Sequence, residues 1–176
     1  EVFPEVLRAA REGQPWAFER LYADLAPVVG GYLRMQRAAE PEDLVSEVFL
    51  GVFRGLGAFK GNERQFRSWV FTIAHRRLLD ERRRLARRPV HDDLPAGFDL
   101  AASDDVEGTV ETALGSDRVA ELCQRLVPDQ RDVLLLRLLA RLSVEEVATS
   151  LGKTQGAVKA LQRRGFAAIA RIVQRE

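Results

Sequence analysis

The 176-residue sequence is poor in cysteine and histidine, two residue types on which many catalytic and metal sites depend. It contains one cysteine, Cys123, and two histidines, His75 and His91. A single cysteine excludes an internal disulfide and is in keeping with a reducing compartment. The sequence has no H-E-x-x-H pattern and no phosphate-binding glycine loop. We therefore predict no catalytic residue, no cofactor and no metal, and we do not expect an enzyme.

Only one short stretch, His91 with Asp92 and Asp93, places histidine next to acidic residues. These residue types can bind a metal, but we interpret the stretch as part of a solvated linker. Long apolar runs are missing too, since no segment has about 18 consecutive apolar residues and no signal-peptide pattern opens the chain. We therefore predict a soluble cytoplasmic protein without direct membrane insertion.

A large net charge is also absent, because 27 lysines and arginines oppose 26 acidic residues. The charges are nevertheless segregated along the chain. Residues 76–88 contain seven arginines and two acids, whereas residues 89–117 contain eight acids and no lysine or arginine. Residues 153–176 contain six basic residues and one acid. A single charged run is typical of a solvated helix face, but two basic segments with an acidic connector favour a protein that contacts a polyanion at two places.

Apolar residues recur at helical spacing, and no strand pattern competes with them. We predict an all-α protein with two small helical domains, residues 1–90 and 114–176, joined by a flexible acidic linker at 91–113. Pro27 predicts a kink or a split in a helix over 16–35. A loop is expected at 57–65 and a long helix at 66–88, whose second half is too basic to be buried. A further helix is expected at 128–141.

Residues 143–164 carry the signals of a helix-turn-helix. Ser143 and Glu146 have the spacing of a capping box, which predicts the start of a first helix. Gly152 then stands where a helix commonly ends in a left-handed residue, and Thr154 can cap a second helix. Gln155, Lys159 and Arg163 follow at four-residue intervals and share its outward face. Such side chains suit the major groove of DNA, although a helical hairpin with a solvated basic face is the simpler interpretation.

Three segments in this order resemble a known family: EDLVSEVFLGVFRGL, then FRSWVFTIAHRRLLDERRR, then LVPDQRDVLLLRLLARLSVEEVATSLGKTQGAVKALQRR. Together they resemble the extracytoplasmic-function, or group-four, sigma factors of bacterial RNA polymerase, over almost the whole chain. The resemblance implies a factor that directs promoter-specific transcription initiation. Its domain two, here residues 1–90, would read the −10 element as single strand. Its domain four, here residues 114–176, would read the −35 element as duplex.

The resemblance also implies which residues bind. Those assigned to the −35 element or nearby phosphates are Thr154, Gln155, Gly156, Lys159, Arg163 and Arg164. Those assigned to the −10 strand or the adjoining duplex are Lys60, Asn62, Arg64, Arg67, Arg76, Arg77 and Arg83. Those assigned to the clamp helices of the largest subunit of core RNA polymerase are Asp43, Ser46, Glu47 and Leu50. Ser46 departs from the glutamine that the family often has.

The family further implies an anti-sigma factor as a partner, often a membrane-bound one that clamps between or around the two domains. The acidic linker resembles the segment that runs through the RNA exit path of the polymerase, and a solubilising tether is the equal alternative. A conventional repressor or activator could also use the helix-turn-helix, but it would need a dimer, and no heptad seam is present. A sigma factor would instead supply specificity to an enzyme and do no chemistry itself.

Overall fold

The structure is a computed structural model that describes residues 2–87, 118–119 and 121–175. The regular secondary structure of these residues is helical throughout. The N-terminal bundle consists of α1 (Phe3–Arg11), α2 (Pro15–Met35), α3 (Pro41–Gly55) and α4 (Glu63–Arg87). The C-terminal bundle consists of helical residues at 121–124, α5 (Pro128–Leu138), α6 (Val144–Leu151) and α7 (Gln155–Val173). The prediction of an all-α fold with two helical domains is confirmed.

The N-terminal bundle is built on α2, α3 and α4, which bury large side chains such as Tyr32, Leu44 and Phe71. Proline stands at the first helical position of α2 and α3, where its missing N–H costs no helical hydrogen bond. Helix α2 continues through Pro27 without interruption, so the alternative of a split helix is wrong. The packed neighbours of α2 stabilise a helix that its sequence alone would weaken.

The C-terminal bundle is organised around α5, in which Val133, Leu134 and Leu136 are fully buried. Helix α7 approaches α5 closely at Gly165, where an added Cβ would lie 2.9 Å from Cδ1 of Leu134. Helix α5 is shorter than predicted, ending at Leu138 instead of Arg141. Arg141 itself has a left-handed φ of 58°, which is incompatible with continuing the helix.

Helix α4 differs from the prediction in two ways, in where it begins and in how much of its second half is buried. It begins at Glu63, so Arg64 and Gln65 lie in its first turn and not in a loop. Its second half is also not fully exposed, because His75, Leu78 and Glu81 are buried. The arginines of this segment lie on the remaining faces of the helix. The second half of α4, although rich in arginine, therefore still buries one face of the helix.

The two bundles pack against each other, with α4 lying on α6. Their buried apolar residues form one continuous cluster that includes residues of both. In the described part of the chain, no helix is both long enough and apolar enough to span a bilayer.

Candidate nucleic-acid interface

The helix-turn-helix forms as its local signals predict. The Ser143 N–H donates to Oε2 of Glu146 at 2.6 Å, and the Glu146 N–H donates to Oγ of Ser143 at 3.1 Å. Gly152 closes α6 with a φ of 62°, in the left-handed region that glycine adopts without strain. Thr154 caps α7, because its Oγ1 accepts the Ala157 N–H at 3.2 Å. The Val158 side chain is fully buried and fixes the rotation of α7.

The outward row of α7 is presented to solvent. Gln155, Lys159 and Arg163 are all exposed. The remaining residues assigned to the −35 element, also exposed, are Thr154, Gly156 and Arg164. An added Cβ at Gly156 would meet no atom of the described chain within 4 Å, so the backbone there is open to a ligand. All six residues of the predicted −35 set are thus exposed to solvent, and Gln155, Lys159 and Arg163 share one side of α7.

The start of α4 is capped by a pair of side chains that the sequence analysis treated as loop. Asn62 Oδ1 accepts the Gln65 N–H at 3.0 Å, and Gln65 Oε1 accepts the Asn62 N–H at 2.9 Å. This reciprocal arrangement is a capping box with asparagine and glutamine. The capping box uses the side-chain oxygen Oδ1 of Asn62. The side-chain NH2 group of Asn62 remains able to donate a hydrogen bond. Lys60 precedes the cap and is exposed.

Two arginines of the −10 set contact the C-terminal bundle. Arg64 Nε donates to Oε1 of Glu146 at 3.0 Å. Arg67 Nε donates to the Ala140 carbonyl at 2.6 Å, and its guanidinium lies 5.7 Å from the Phe71 ring centroid. Burial lowers the pKa of Arg67, and the nearby charge of Arg141 lowers it further. Arg67 nevertheless stays charged, because an arginine pKa begins far above neutrality.

These arginines border a cleft of about 420 Å³ between the bundles. Its lining consists of Asn62, Glu63, Arg64, Arg67 and Arg141. The surface is therefore strongly cationic, and it includes a residue of the C-terminal bundle that the sequence analysis did not assign.

The other arginines of the −10 set lie farther along α4. Arg76 and Arg83 are exposed, and Arg83 forms an ion pair with Asp80 at 3.2 Å. Arg77 is half-buried, with its guanidinium beside Gly51 of α3. Because α4 rises about 1.5 Å per residue, Arg67 and Arg83 are separated by roughly 24 Å along the helix. The −10 set is thus spread along α4 and over more than one of its sides, and it does not form a single cluster.

The residues assigned to core polymerase share the outer face of α3. Asp43, Ser46 and Leu50 are exposed, and Glu47 is half-buried. Leu50 keeps 54% of its surface accessible, so it presents an apolar side chain on this face.

The start of α3 is held by a glutamate that the sequence analysis did not single out. The buried Glu81 carboxylate of α4 accepts the N–H groups of Ala39 and Glu40 at 3.1 and 3.3 Å. The N-cap residue, Glu40, makes no capping hydrogen bond with its own side chain. Glu81 therefore supplies the missing cap and fixes the outer face of α3 relative to α4.

A buried polar network lies between the bundles, and periodicity gave no sign of it. The Tyr32 hydroxyl lies 2.9 Å from Nδ1 of His75. The Gln36 amide donates to Oδ1 of Asp132 at 2.6 Å, and Arg82 donates to Oε1 of Gln36 at 3.1 Å. Burial lowers the pKa of His75 and raises that of Tyr32. Polar residues at positions that the apolar pattern buries, such as Gln36, are the signal that could have revealed it.

Each of the two bundles matches a known family model. Residues 17–88 match the family model for Sigma-70 region 2, and residues 124–171 match that for Sigma-70, region 4. The chain is 31% identical to the ECF RNA polymerase sigma factor ShbA of Streptomyces griseus, over 94% of this chain and 92% of ShbA. The chain belongs to the ECF RNA polymerase sigma factors. The resemblance seen in the sequence is thereby confirmed.

Further relatives agree with the assignment. The chain is 34% identical to the ECF RNA polymerase sigma factor BldN of Streptomyces coelicolor, over 96% of this chain and 65% of BldN. Its fold matches CnrH in complex with the cytosolic domain of CnrY, with a TM-score of 0.71 and 22% identity over 100% of this chain and 99% of that one. It also matches the sigma factor RpoE of Bartonella quintana in complex with the anti-sigma factor NepR. That TM-score is 0.67, with 17% identity over 89% of this chain and 96% of that one.

Predictions made for the segment between the bundles lie outside the described residues, including His91, Asp92 and Asp93. Among the residues described, no group of three or more histidine, cysteine or acidic side chains is placed to hold a metal.

Proposed function

We propose that this sigma factor directs promoter-specific initiation by reading a −35 element with α7 and a −10 element with the start and exposed faces of α4. It acts as a binding factor in the cytoplasm and does no chemistry itself. Its functional units are residues 1–90 and 114–176, joined by the linker at 91–113. The family assignment supports the activity, and the accessible surfaces support the division of labour between the two helices.

The observation that carries the proposal is the unobstructed outward row of α7. From Gln155 to Arg163 the row extends about 12 Å along the helix, which is close to the width of the major groove. Arginine and lysine suit guanine, and glutamine suits adenine. Because Val158 and Gly165 fix the opposite side of α7 against the bundle, the row is held in one orientation.

The −10 assignment depends on the different chemistry of an opened strand. Capture of an unstacked base needs polar groups for its edge and cations for the flanking phosphates. The free amide of Asn62 can donate to a base edge, while Lys60, Arg64 and Arg67 lie close enough in sequence to neutralise its phosphates. Arg76, Arg77 and Arg83 would extend the positive charge along α4 toward the duplex.

Two protein partners are proposed, and the one with an assigned surface binds away from the outward row of α7. Core polymerase is assigned to the outer face of α3, where Asp43 and Glu47 offer carboxylates and Leu50 offers an apolar contact. An anti-sigma factor is the proposed inhibitor. The sigma factor RpoE, which shares this fold, was solved in complex with the anti-sigma factor NepR.

Transcription with core polymerase tests the proposal. The chain should initiate on templates selected from a pool in which both promoter elements are randomised. Lys159→Ala should reduce −35-dependent transcription about tenfold, and it should lower the salt dependence of duplex binding by about one unit of slope. Lys153→Ala is the matched control, because Lys153 is bound to Asp129 at 3.1 Å and lies outside the proposed row. No transcript from any template in the pool would refute the function.

A further inference from the structure

Helix α1 lies outside residues 17–88, which match the region 2 model, yet it contacts the segment that joins α3 to α4. We call residues 56–62 the α3–α4 connection. Arg11, the last residue of α1, donates from Nε to the Leu56 carbonyl at 3.3 Å. A terminal nitrogen of the same guanidinium donates to the Phe59 carbonyl. Arg11 therefore binds the connection at two backbone positions, 45 and 48 residues away along the chain.

An arginine is suited to this contact because its guanidinium is planar and carries its donors in a fixed fork. The connection has no regular secondary structure, so its carbonyls are not all used by a helix. The Phe59 N–H donates to the Leu56 carbonyl at 3.3 Å, which keeps the two acceptors of Arg11 close together. A lysine could hold one of these oxygens but offers no rigid pair of donors. The guanidinium of Arg11 thus fixes two points of the connection relative to each other.

Aromatic packing holds the inner side of the same connection. The Phe59 ring stacks on Trp69, with centroids 5.0 Å apart and planes at 19°. It also meets Phe66 edge-on, with centroids 5.4 Å apart. Phe3 of α1 lies 5.5 Å from the same Phe66 ring. Phe59 is therefore held from two directions, by rings of α4 at its side chain and by Arg11 at its carbonyl.

The anchored Phe59 constrains the backbone that leads to Asn62. An added Cβ at Gly61 would lie 2.8 Å from Cζ of Phe59 and 2.8 Å from Oε1 of Gln65. The chain therefore runs tightly between the anchored ring and the capping glutamine. A cavity of about 420 Å³ lies between α1 and this stretch, and both Arg11 and Asn62 line it. A change in the hold of Arg11 should therefore move the group that is proposed to read a base.

We propose that Arg11 is a positioning residue for the −10 element, which holds the α3–α4 connection in the form that presents Asn62 to a particular base. The inference rests on the proposed function and deepens it, because it adds a determinant of base preference outside the region 2 match. Arg11 is exposed and positively charged, so a direct contact with a strand phosphate is the alternative role. A phosphate contact contributes equally to every sequence, whereas a positioning contact changes which sequence is preferred.

Binding of forked templates by the holoenzyme, the full chain with core polymerase, separates these two roles. One template carries the −10 sequence selected from the randomised pool as single strand, and the other differs from it by one base. The ratio of their Kd values measures base preference. Arg11→Met should reduce this ratio about fivefold, because a loosened connection no longer holds Asn62 against one base edge. The matched control is Arg8→Met, since Arg8 lies on the same helix, is exposed and forms a 3.9 Å ion pair with Glu12; its loss should change the ratio less than about twofold.

Arg11→Lys distinguishes the position of the guanidinium from its charge. This variant keeps the positive charge but not the fork, so it should lower base preference nearly as much as Arg11→Met while leaving the salt dependence of binding unchanged. If Arg11 contacts a phosphate instead, Arg11→Lys should bind both templates like the unmodified chain. Arg11→Met should then weaken binding to both templates equally and lower the salt slope by about one unit. That pattern would overturn the inference.

Hydrogen exchange in the full chain reports on the connection directly. Gln65 Oε1 accepts the Asn62 N–H, and this amide should exchange faster in Arg11→Met and Arg11→Lys than in the unmodified chain or Arg8→Met, at equal helical content by circular dichroism. Unchanged exchange, or faster exchange with an unchanged base preference, would refute the inference. If Arg11→Met does not fold, Arg11→Lys provides the same comparison. A holoenzyme of the unmodified chain that prefers no −10 sequence would refute the proposed function instead.

Discussion

Helices α4 and α6 each begin with two side chains that exchange hydrogen bonds with the backbone. Asn62 and Gln65 cap α4, while Ser143 and Glu146 cap α6. The first pair opens the proposed −10 region and the second opens the helix-turn-helix. They differ in reach, because the Asn62 pair serves only its own turn, whereas Glu146 also binds Arg64 across the bundle interface.

The same comparison explains why the two sets of basic residues are not equally accessible. Lys159 and Arg163 lie on a helix whose outer side no other described element covers, so the chain leaves them to a ligand. Arg64 and Arg67 lie on the helix that packs against α6. A basic residue therefore indicates a DNA contact only after its partners within the protein are known.

The largest effect on the contact between the two bundles is expected from removing the Gln36 amide, which donates to Asp132. Gln36→Leu leaves the buried Asp132 carboxylate without its hydrogen bond, which should weaken the packing of the two bundles against each other by about 1–3 kcal/mol. The Ser150 hydroxyl is hydrogen-bonded to that of Thr72 across the bundle contact. Because 1.4 kcal/mol is a factor of ten, labelling of a Ser150→Cys thiol should accelerate about 5- to 150-fold. The outward row of α7 should be unaffected.

A second substitution controls this experiment. Replacing both partners, Gln36→Leu with Asp132→Leu, removes the unpaired carboxylate and should return labelling toward the original rate. Labelling that stays slow in Gln36→Leu alone would mean that this hydrogen bond does not hold the bundles together.

The pH dependence of stability should give a smaller effect. His75 is buried beside the Tyr32 hydroxyl, and it feels the charges of Asp132 and Lys153 from the C-terminal bundle and of Arg82 from its own helix. Burial is the largest cause of its lowered pKa, Arg82 and Lys153 lower it further, and Asp132 opposes them. Since the folded pKa is below the unfolded value of about 6.5, the unfolded chain binds the proton more tightly. Stability should therefore fall as pH drops below about 6.5.

Denaturant unfolding at several pH values measures how the free energy of unfolding depends on pH. The slope from one group cannot exceed about 1.4 kcal/mol per pH unit. His75→Gln can keep a polar contact with Tyr32 but has no proton to gain in this range, so its stability should depend less on pH. Parallel profiles for the two proteins would assign the pH dependence to other groups.

The sequence was sufficient to predict the structure where one short segment determines it. The helix-turn-helix follows from Ser143, Glu146, Gly152 and Thr154, which lie within twelve residues and act on their own turns. The cap of α4 was missed although it is equally local, because asparagine and glutamine beside glycines favour a loop. The capping role depends on the backbone geometry at Asn62, which composition does not report.

Longer-range features could not be predicted in the same way. The acidic Glu81 belongs to an arginine-rich segment, and only packing of α4 against the start of α3 turns it inward. Gln36 and Asp132 are 96 residues apart, so their hydrogen bond depends on how the bundles meet. The contacts of Arg64 and Arg67 with the C-terminal bundle follow from the same packing.

The smallest expected effect separates two roles of Asn62 at the start of α4. Its Oδ1 caps the helix, whereas its amide group is proposed to read a base edge. Asn62→Ser keeps an acceptor suited to the N-cap but removes the amide. Asn62→Ala removes both and should destabilise the chain by about 1 kcal/mol. If Asn62 reads a base, both variants should lose −10-dependent transcription by a few-fold while only Asn62→Ala unfolds earlier. If capping is its only role, Asn62→Ser should transcribe like the unmodified chain, and the base-reading group must then be sought among the polar groups nearby.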